Sequence, residues 1–308
     1  MGNLKVLMAF AAIYFIWGAT YLAAWFGLDS IPPYLLSALR FSLAGIILLV
    51  YGYTSNGSLP GIRSFKINGI AGSLMLVGGS GSVLWAQQYL GTALAAILVS
   101  SLPIWFIILD RQQWKVYRIQ PLVIAGIILG FLGIILLFGF TAKQDPTTMT
   151  NDRQVLSIAV LLAGCVLWTI GSLFVTYRPV AEPISTGTGV QLLAGGLVSL
   201  LISIAFGETA NFSFANVSVN AWLGLAYLIL FGSVIAYLAY VWLLTVRPAA
   251  QVGTFAYVNP VVAVFLGAFV AHEKIPGIQV IALAIILVSI LLVNLPNYQT
   301  LKGAKNDR

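Results

Sequence analysis

The stretch PYLLSALRFSLAGIILLVYGY, residues Pro33 to Tyr53, is apolar along nearly its whole length but carries Arg40 in its first half. An α-helix rises about 1.5 Å per residue, so about 20 apolar residues cross the hydrocarbon core of a bilayer. A guanidinium inside such a run is costly unless its donors find partners. The stretch therefore predicts a membrane-spanning helix that retains one charged side chain for a reason.

The rest of the chain shares this composition. Of its 308 residues, 60% are hydrophobic and 7% are charged, whereas soluble domains carry about 25% charged residues. Polar breaks divide the chain into ten apolar runs that are candidate membrane spans. These runs are predicted to be helices, because runs such as 119–140 do not alternate between apolar and polar residues as barrel strands would. The predicted fold is an all-α polytopic membrane protein. Its ten spans cover residues 4–27, 33–52, 66–87, 91–109, 119–140, 154–176, 184–206, 219–241, 250–271 and 276–295.

The basic residues predict the orientation of these spans. With the N-terminus inside, inner loops and tails hold eleven of the 15 Lys and Arg residues, outer loops hold three, and Arg40 lies within a span. Short loops with this bias follow the positive-inside rule. We therefore expect cytoplasmic N- and C-termini in the cell inner membrane. The net charge of +7 then reflects topology, and we expect the bilayer rather than nucleic acid as a partner.

A polar segment, FTAKQDPTTMTNDRQ, divides the chain into two sets of five predicted spans. We assign residues 1–140 to a first five-helix repeat, 141–153 to a periplasmic linker, 154–295 to a second five-helix repeat and 296–308 to a cytoplasmic tail. Because five is an odd number, the second repeat would enter the membrane upside down. Such inverted repeats are typical of transporters that open alternately to either side of a midplane site.

The two halves also resemble each other in sequence. IWGATYLA around Trp17 is similar to LWTIGSLF around Trp168, and ILVSSLPIWF is similar to FAYVNPVVAV. Offsets of 151 for the first three and 157 for the last relate these pairs: Trp17 with Trp168, Arg40 with Gln191, Gly45 with Gly196, and Pro103 with Pro260. A proline inside a span frees the carbonyl four residues earlier. Pro103 and Pro260 therefore predict helix breaks where backbone groups can line a cavity.

Two longer stretches carry a family resemblance. FIWGATYLAAWFGLDSIPPYLLSALRFSLAGIILL resembles the first two helices of the EamA family of the drug/metabolite transporter superfamily, and LILFGSVIAYLAYVWLLTVRPAAQVGTFAYVNPVVAVFLGAFVAHEKI resembles its eighth and ninth helices. The resemblance implies ten helices from two five-helix repeats, a central cavity, and export of small metabolites or drugs. It also implies that the fifth and tenth helices pack peripherally.

Aromatic and polar side chains deep within the spans are the candidates for a substrate site. Interior tryptophan and tyrosine residues need partners for their N–H and O–H groups, so each of them, like each polar residue, is either a packing group or part of a cavity wall. The candidate substrate-binding residues are Trp17, Tyr21, Ser37, Arg40, Ser82, Trp85, Ser100, Trp168, Gln191, Tyr237, Tyr257 and Asn259. Glu273, after the ninth span, is the candidate outer gate.

Three roles remain open for Arg40. Seven residues of helix place it about 10 Å below the outer surface, at the depth of the Val99 carbonyl that Pro103 frees. Arg40 is then a staple for the broken fourth helix, a partner for an acidic group of the substrate, or half of an outer gate with Glu273.

The sequence as a whole favours an exporter of small amphipathic metabolites, such as amino acids or related compounds, or of drugs. An importer is the alternative within transport, and a membrane-embedded enzyme or receptor is the alternative from other classes. The single histidine, His272, excludes a multi-histidine metal site. We expect no metal, no cofactor and a monomer. No acid lies deep in a span, so we expect facilitated or exchange transport rather than proton coupling.

Overall fold

The structure, a computed structural model, describes residues 2–57, 59–114, 121–142, 149–210, 212–247, 249–272 and 275–306. We number its helical segments α1 to α10 in chain order. They are α1 (Gly2–Ala11, the π-helical stretch Ala12–Ile16, and Trp17–Leu28), α2 (Pro33–Asn56), α3 (Ile62–Gly72, the π-helical stretch Ser73–Gly81, and Ser82–Ala86), α4 (Thr92–Val99 and Leu102–Leu109), α5 (Pro121–Ala142), α6 (Met149–Thr176), α7 (Ile184–Ala205), α8 (Val219–Tyr227, the π-helical stretch Leu228–Tyr237, and Leu238–Val246), α9 (Ala249–Val252 and Phe255–Phe269) and α10 (Gly277–Asn306).

Seven of these segments are long and apolar enough to cross a membrane. They are Leu4–Leu28, Pro33–Ser55, Ile62–Ala86, Thr92–Leu109, Asp152–Thr176, Ile184–Ala205 and Val219–Val246. Each agrees within five residues with a predicted span, which confirms an all-helical, multi-pass membrane protein. In α5, α9 and α10 the apolar helix is shorter, covering Ile124–Gly133, Val258–Phe269 and Gly277–Ser289. Ten spans therefore remain a prediction.

The surface of α2 shows how the helices meet lipid and core. Its exposed side chains are the apolar Leu43, Ile46, Ile47 and Val50, which recur at helical spacing on one face. Its buried side chains include Ser37, Arg40, Phe41 and Ala44 on another face. Polar groups thus point inward and apolar groups outward, the arrangement that a lipid solvent favours.

Loop contacts define the two ends of the helix bundle. At one end the Ser218 hydroxyl, just before α8, donates to the Asp29 carboxylate between α1 and α2 at 3.0 Å; we call this the Asp29 end. At the other, the backbone N–H of Gly61 donates to Glu182 at 2.7 Å, just before α7; we call it the Gly57 end after the residue that caps α2. α2 and α7 run antiparallel between these ends.

Helices from the two halves of the chain pack in pairs: α2 with α7, α1 with α8, and α3 with α6. The α2–α7 contact is close because small residues face backbone. A Cβ built on Gly45 would lie 2.9 Å from Leu193 Cα, and a Cβ on Gly196 would lie 2.9 Å from Ser42 Cα. Both segments at the ends of the halves, α5 and α10, pack against each other, with Gly133 beside Ile286.

The two proline-containing segments are interrupted differently. In α4 the helix stops at Ser100 and Ser101, directly before Leu102 and Pro103. In α9 the interruption is at Gly253 and Thr254, and Pro260 lies inside the helix Phe255–Phe269. The predicted break at Pro260 is thus displaced toward the Gly57 end by about two turns of helix.

Candidate functional site

A cavity of about 90 Å³ lies among α1, α2, α3, α4, α6, α8 and α9. It reaches from the middle of the bundle toward the Asp29 end, where Ala24, Leu84 and Gln87 line it. The structure brings six of the predicted site residues together here: Trp17, Tyr21, Arg40, Trp168, Tyr237 and Asn259. Concave and mostly apolar surfaces with few convergent polar groups are the usual form of a small-molecule site.

Arg40 supplies the positive charge of this cavity. Its side chain is 7% exposed, and its Nε donates to the Ser233 hydroxyl at 2.8 Å. The guanidinium carbon lies 4.8 Å from the centroid of the Phe41 ring, and Nη2 lies beside Gly232, which leaves room for it because it has no side chain. Within the described part of the chain, Nη1 and Nη2 have no hydrogen-bond partner and no carboxylate pairs with the guanidinium.

The interpretation of Arg40 as a staple for α4 is wrong. The guanidinium bonds to Ser233 on α8 rather than to the Val99 carbonyl on α4. At the interruption in α4 the Ser100 hydroxyl donates to the Ile97 carbonyl of its own turn, and Val99 lines the cavity. The Arg40 side chain and the Val99 carbonyl were predicted to lie at the same depth in the membrane, but equal depth does not require that two groups face each other.

An aromatic cluster closes the cavity on the side of the Gly57 end. It consists of Trp17, Trp168, Tyr237, Tyr240 and Phe255. The Trp17 and Trp168 rings meet edge to face, with centroids 5.7 Å apart, and the Trp17 and Phe255 centroids are 4.9 Å apart. Such pairs stabilise packing beyond the area that they bury.

Hydrogen bonds orient the cluster. Trp17 Nε1 donates to the Gly232 carbonyl at 3.0 Å, which ties α1 to α8. Trp168 Nε1 donates to the Tyr240 hydroxyl at 3.0 Å, and that hydroxyl is 2.7 Å from the Ser172 hydroxyl. Because the Ser172 hydroxyl donates its hydrogen to the Trp168 carbonyl at 2.7 Å, it accepts from Tyr240. The polar atoms of the cluster are therefore satisfied, and the apolar ring faces remain available to the cavity.

Gln191 lies behind this wall rather than on it. Its side chain is fully buried, its Oε1 accepts from the Tyr237 hydroxyl at 2.7 Å, and its Nε2 donates to Asn68 Oδ1 at 2.7 Å. Asn68 in turn donates to the Ser64 hydroxyl at 3.0 Å. This chain of bonds runs from the cavity wall toward the Gly57 end and holds Tyr237 in place.

Asn259 joins α9 to the π-helical stretch of α1. With its amide nitrogen turned toward α1, it donates to the carbonyls of Ile13 and Tyr14 at 3.1 and 2.7 Å. A π-helical turn displaces backbone groups from regular pairing and is common at functional sites. Asn259 therefore both lines the cavity and satisfies carbonyls of a neighbouring helix.

Four other predicted residues, Ser37, Ser82, Trp85 and Ser100, are not part of the cavity lining. The Ser82 hydroxyl donates to the Gly79 carbonyl at 2.6 Å, and Ser37 is fully buried without a hydrogen-bond partner among the described residues. Trp85 packs edge to face against Tyr89. Glu273 and the side chain of Tyr257 fall outside the described residues.

Ser233, which accepts a hydrogen bond from Arg40, is absent from the residues that the sequence predicts for the site. The triplet Gly-Ser-Val occurs at residues 81–83 and again at 232–234, separated by the same offset of 151 that relates the other pairs. Tyr240 and Phe255 were also missed, because an aromatic residue in an apolar helix gives no sign of which face it occupies. In the described residues, no group of three or more His, Cys, Asp or Glu side chains offers a metal site.

Comparison with known proteins places the chain in a family. The model of the EamA-like transporter family matches residues 4–139 and again residues 155–295. The chain belongs to the EamA-like transporter family. It is 32% identical over 297 residues to the uncharacterized inner membrane transporter YedA of Escherichia coli K12, covering 96% of this chain and 92% of the relative.

More distant relatives show the same length and fold. The uncharacterized transporter YoaV of Bacillus subtilis is 22% identical over 276 residues, covering 88% of this chain and 90% of the relative. A crystal structure of another protein superposes with a TM-score of 0.67 at 21% identity, covering 95% of this chain and 98% of that one. The EamA-like chain is thus a multi-pass membrane protein with a general transporter role.

Proposed function

We propose that this chain is an inner-membrane exporter of small amphipathic metabolites or drugs that works by alternating access around the cavity. The observation that carries the proposal is the cavity itself, with an aromatic cluster on one side and the Arg40 guanidinium on its wall. With both termini in the cytoplasm, the Asp29 end is periplasmic and the Gly57 end is cytoplasmic. The cavity then extends toward the periplasm, and the aromatic cluster separates it from the cytoplasm.

Two inverted five-helix repeats, residues 1–140 and 154–295, fit this mechanism. The family model matches the chain twice, over 4–139 and 155–295. The α2–α7 contact is reciprocal: an offset of 151 converts Gly45 against Leu193 into Gly196 against Ser42, and the distances from the added Cβ to Cα are equal at 2.9 Å. Reciprocal contacts of this kind are expected across a two-fold axis. They support a rocking motion of two equivalent halves.

Entry of cargo from the cytoplasmic side would require the aromatic cluster to separate. Trp17 and Tyr240 lie on the paired helices α1 and α8, whereas Trp168 lies on α6, which pairs with α3, and Phe255 lies on α9. Rigid rotation of the helix pairs would pull these rings apart while the same motion closes the periplasmic end around Gln87. The function is transport rather than catalysis in this proposal, and the cargo is the small-molecule partner.

The test is an efflux screen with the full chain. Cells that overproduce it are loaded with a panel of labelled amino acids, aromatic metabolites and drugs, and the retained label is followed over time. We expect faster loss of at least one compound, and Trp168→Ala should abolish the difference because it opens the aromatic cluster. Trp222→Ala is the matched control, since Trp222 is exposed on α8. Faster uptake instead of loss would indicate an importer, and no change with any compound would contradict a transport role for the cavity.

A further inference from the structure

The cavity contains a positive charge with no matching negative charge. Arg40 is the cationic residue of the lining, and no Asp or Glu lines the cavity in the part of the chain that the structure describes. A buried ion without a counter-charge is strongly unfavourable. An anion bound in the cavity would therefore neutralise the charge of Arg40.

The geometry of Arg40 selects the kind of anion. Ser233 holds Nε at 2.8 Å, and the Phe41 ring covers one region of the guanidinium. These contacts hold one edge and one face of the group, while Nη1 and Nη2 have no hydrogen-bond partner among the described residues and Arg40 lines the cavity. Two parallel N–H donors match the two oxygens of a carboxylate, which forms short bidentate bonds with arginine.

The other residues that line the cavity favour a cargo with an apolar ring or chain. Trp17 and Phe255 present ring faces and edges, and Leu76 and Val83 add aliphatic surface. An apolar ring gains from these contacts. An ammonium group on the cargo would lack an ionic partner among the described lining residues, since their oxygen atoms belong to neutral groups.

We infer that the cargo is a small organic monoanion, a carboxylate on an aromatic or other apolar body, that pairs with the Nη1–Nη2 fork of Arg40. This inference rests on the proposed function, which it narrows from amphipathic compounds to one charge class. It also supplies a driving force. Uniport of one negative charge out of a cell whose interior is negative is favoured about 50-fold per 100 mV. Export would then need no proton-carrying side chain along the path.

Binding is tested first, with purified full-length chain in nanodiscs. Trp17 and Trp168 line the cavity, so a ligand there changes tryptophan fluorescence. The probes are phenylacetate and 3-phenylpropionate, their uncharged amides, and phenylalanine as the zwitterion. We expect both acids to bind at least 10-fold more tightly than the amides and than phenylalanine. Arg40→Gln should remove this preference, Arg40→Lys should retain part of it, and the exposed Arg63→Gln should leave it unchanged.

Charge movement is tested second, on a solid-supported membrane carrying proteoliposomes. A phenylacetate concentration jump should give a transient current of negative charge in the wild type and none with Arg40→Gln, whereas the neutral acid that leaks through lipid carries no current. Equal binding of acid and amide would overturn the inference even if Arg40→Gln did not fold, because that comparison uses the wild type alone. Preference for phenylalanine, or absence of binding by both acids, would also overturn it. The efflux screen decides the exporter function independently of these results.

Discussion

Arg40 and Gln191 lie 151 residues apart, the offset that relates the two proposed repeats, yet the two side chains differ in their hydrogen bonds. Arg40 uses one of its three nitrogens on the protein and leaves two toward the cavity. Gln191 uses both ends of its amide on the protein and has no exposed surface. Each of the two packed helices α2 and α7 thus carries a buried polar side chain, and of these two side chains Arg40 is the one that lines the cavity.

Within the proposed repeat, equivalent positions therefore have similar helix packing but different hydrogen-bond partners. Trp17 and Trp168 are also equivalent, and here both members line the cavity and touch each other. The two tryptophans of this pair therefore have similar surroundings. Arg40 and Gln191 meet different neighbours, since the Tyr237 hydroxyl donates to the Gln191 amide oxygen whereas the Ser233 hydroxyl accepts from the Arg40 guanidinium.

We expect the largest effect when the side chain of one position is placed at the other, in two separate variants. Gln191→Arg would place a charge where the site is fully buried and where Asn68 and Tyr237 leave no cavity for it. We expect a loss of about 3 kcal/mol in the free energy of unfolding. Arg40→Gln should be neutral or stabilising, because it removes an unpaired charge. Thermal unfolding of both variants in detergent micelles measures this, and equal losses would show that the two sites are alike.

The reciprocal glycine contact offers the next largest effect. A methyl group on Gly45 or Gly196 meets the backbone of the opposite helix within 3 Å, so each Gly→Ala substitution should cost about 2 kcal/mol through overpacking. The two losses should agree within about 0.5 kcal/mol, the usual error of additivity. Gly277→Ala is the control, since a Cβ there meets nothing within 4 Å. A loss confined to one of the two glycines would argue against a two-fold arrangement of α2 and α7.

Much of this scaffold could be predicted from the sequence, because apolar length defines a span regardless of its neighbours. The offset of 151 also identified Trp17, Trp168 and Arg40 as residues of interest. The facing of each side chain could not be predicted. In a soluble helix the polar face marks the solvent, but in α1 the exposed Leu7 and Phe15 and the buried Ile13 are all apolar, so periodicity carries little information.

The hydrogen-bond partners of buried serine residues also could not be predicted from the sequence. Ser82 and Ser100 donate to carbonyls of their own helices, a frequent alternative for hydroxyls within spans. Ser233 instead turns to Arg40. No local feature of the sequence separates the two behaviours, because the choice depends on which side chain another helix presents. That information is tertiary, and it decides which polar residues reach the cavity.

A smaller effect is expected from removing the hydrogen bond between Arg40 and Ser233. Ser233→Ala leaves the Arg40 Nε unpaired and should cost about 1.5 kcal/mol, the usual contribution of a hydrogen bond to a charged group. It should also weaken phenylacetate binding several-fold, because the guanidinium plane is no longer held. Ser82→Ala, at the equivalent position, should change both quantities by less than about 0.5 kcal/mol. The two variants are compared by unfolding and by tryptophan fluorescence, and equal effects would contradict an orienting role for Ser233.

The smallest expected effect concerns the hydrogen bond from the Tyr237 hydroxyl to Gln191. Tyr237→Phe removes the donor to Gln191 Oε1 and keeps the ring, so it should cost about 1 kcal/mol. Tyr237→Phe combined with Gln191→Met should cost less than the sum of the single changes, because each single change already breaks the bond. A double-mutant cycle of unfolding free energies measures the coupling. Strict additivity would mean that Gln191 does not hold Tyr237, and the aromatic wall would then depend on ring packing alone.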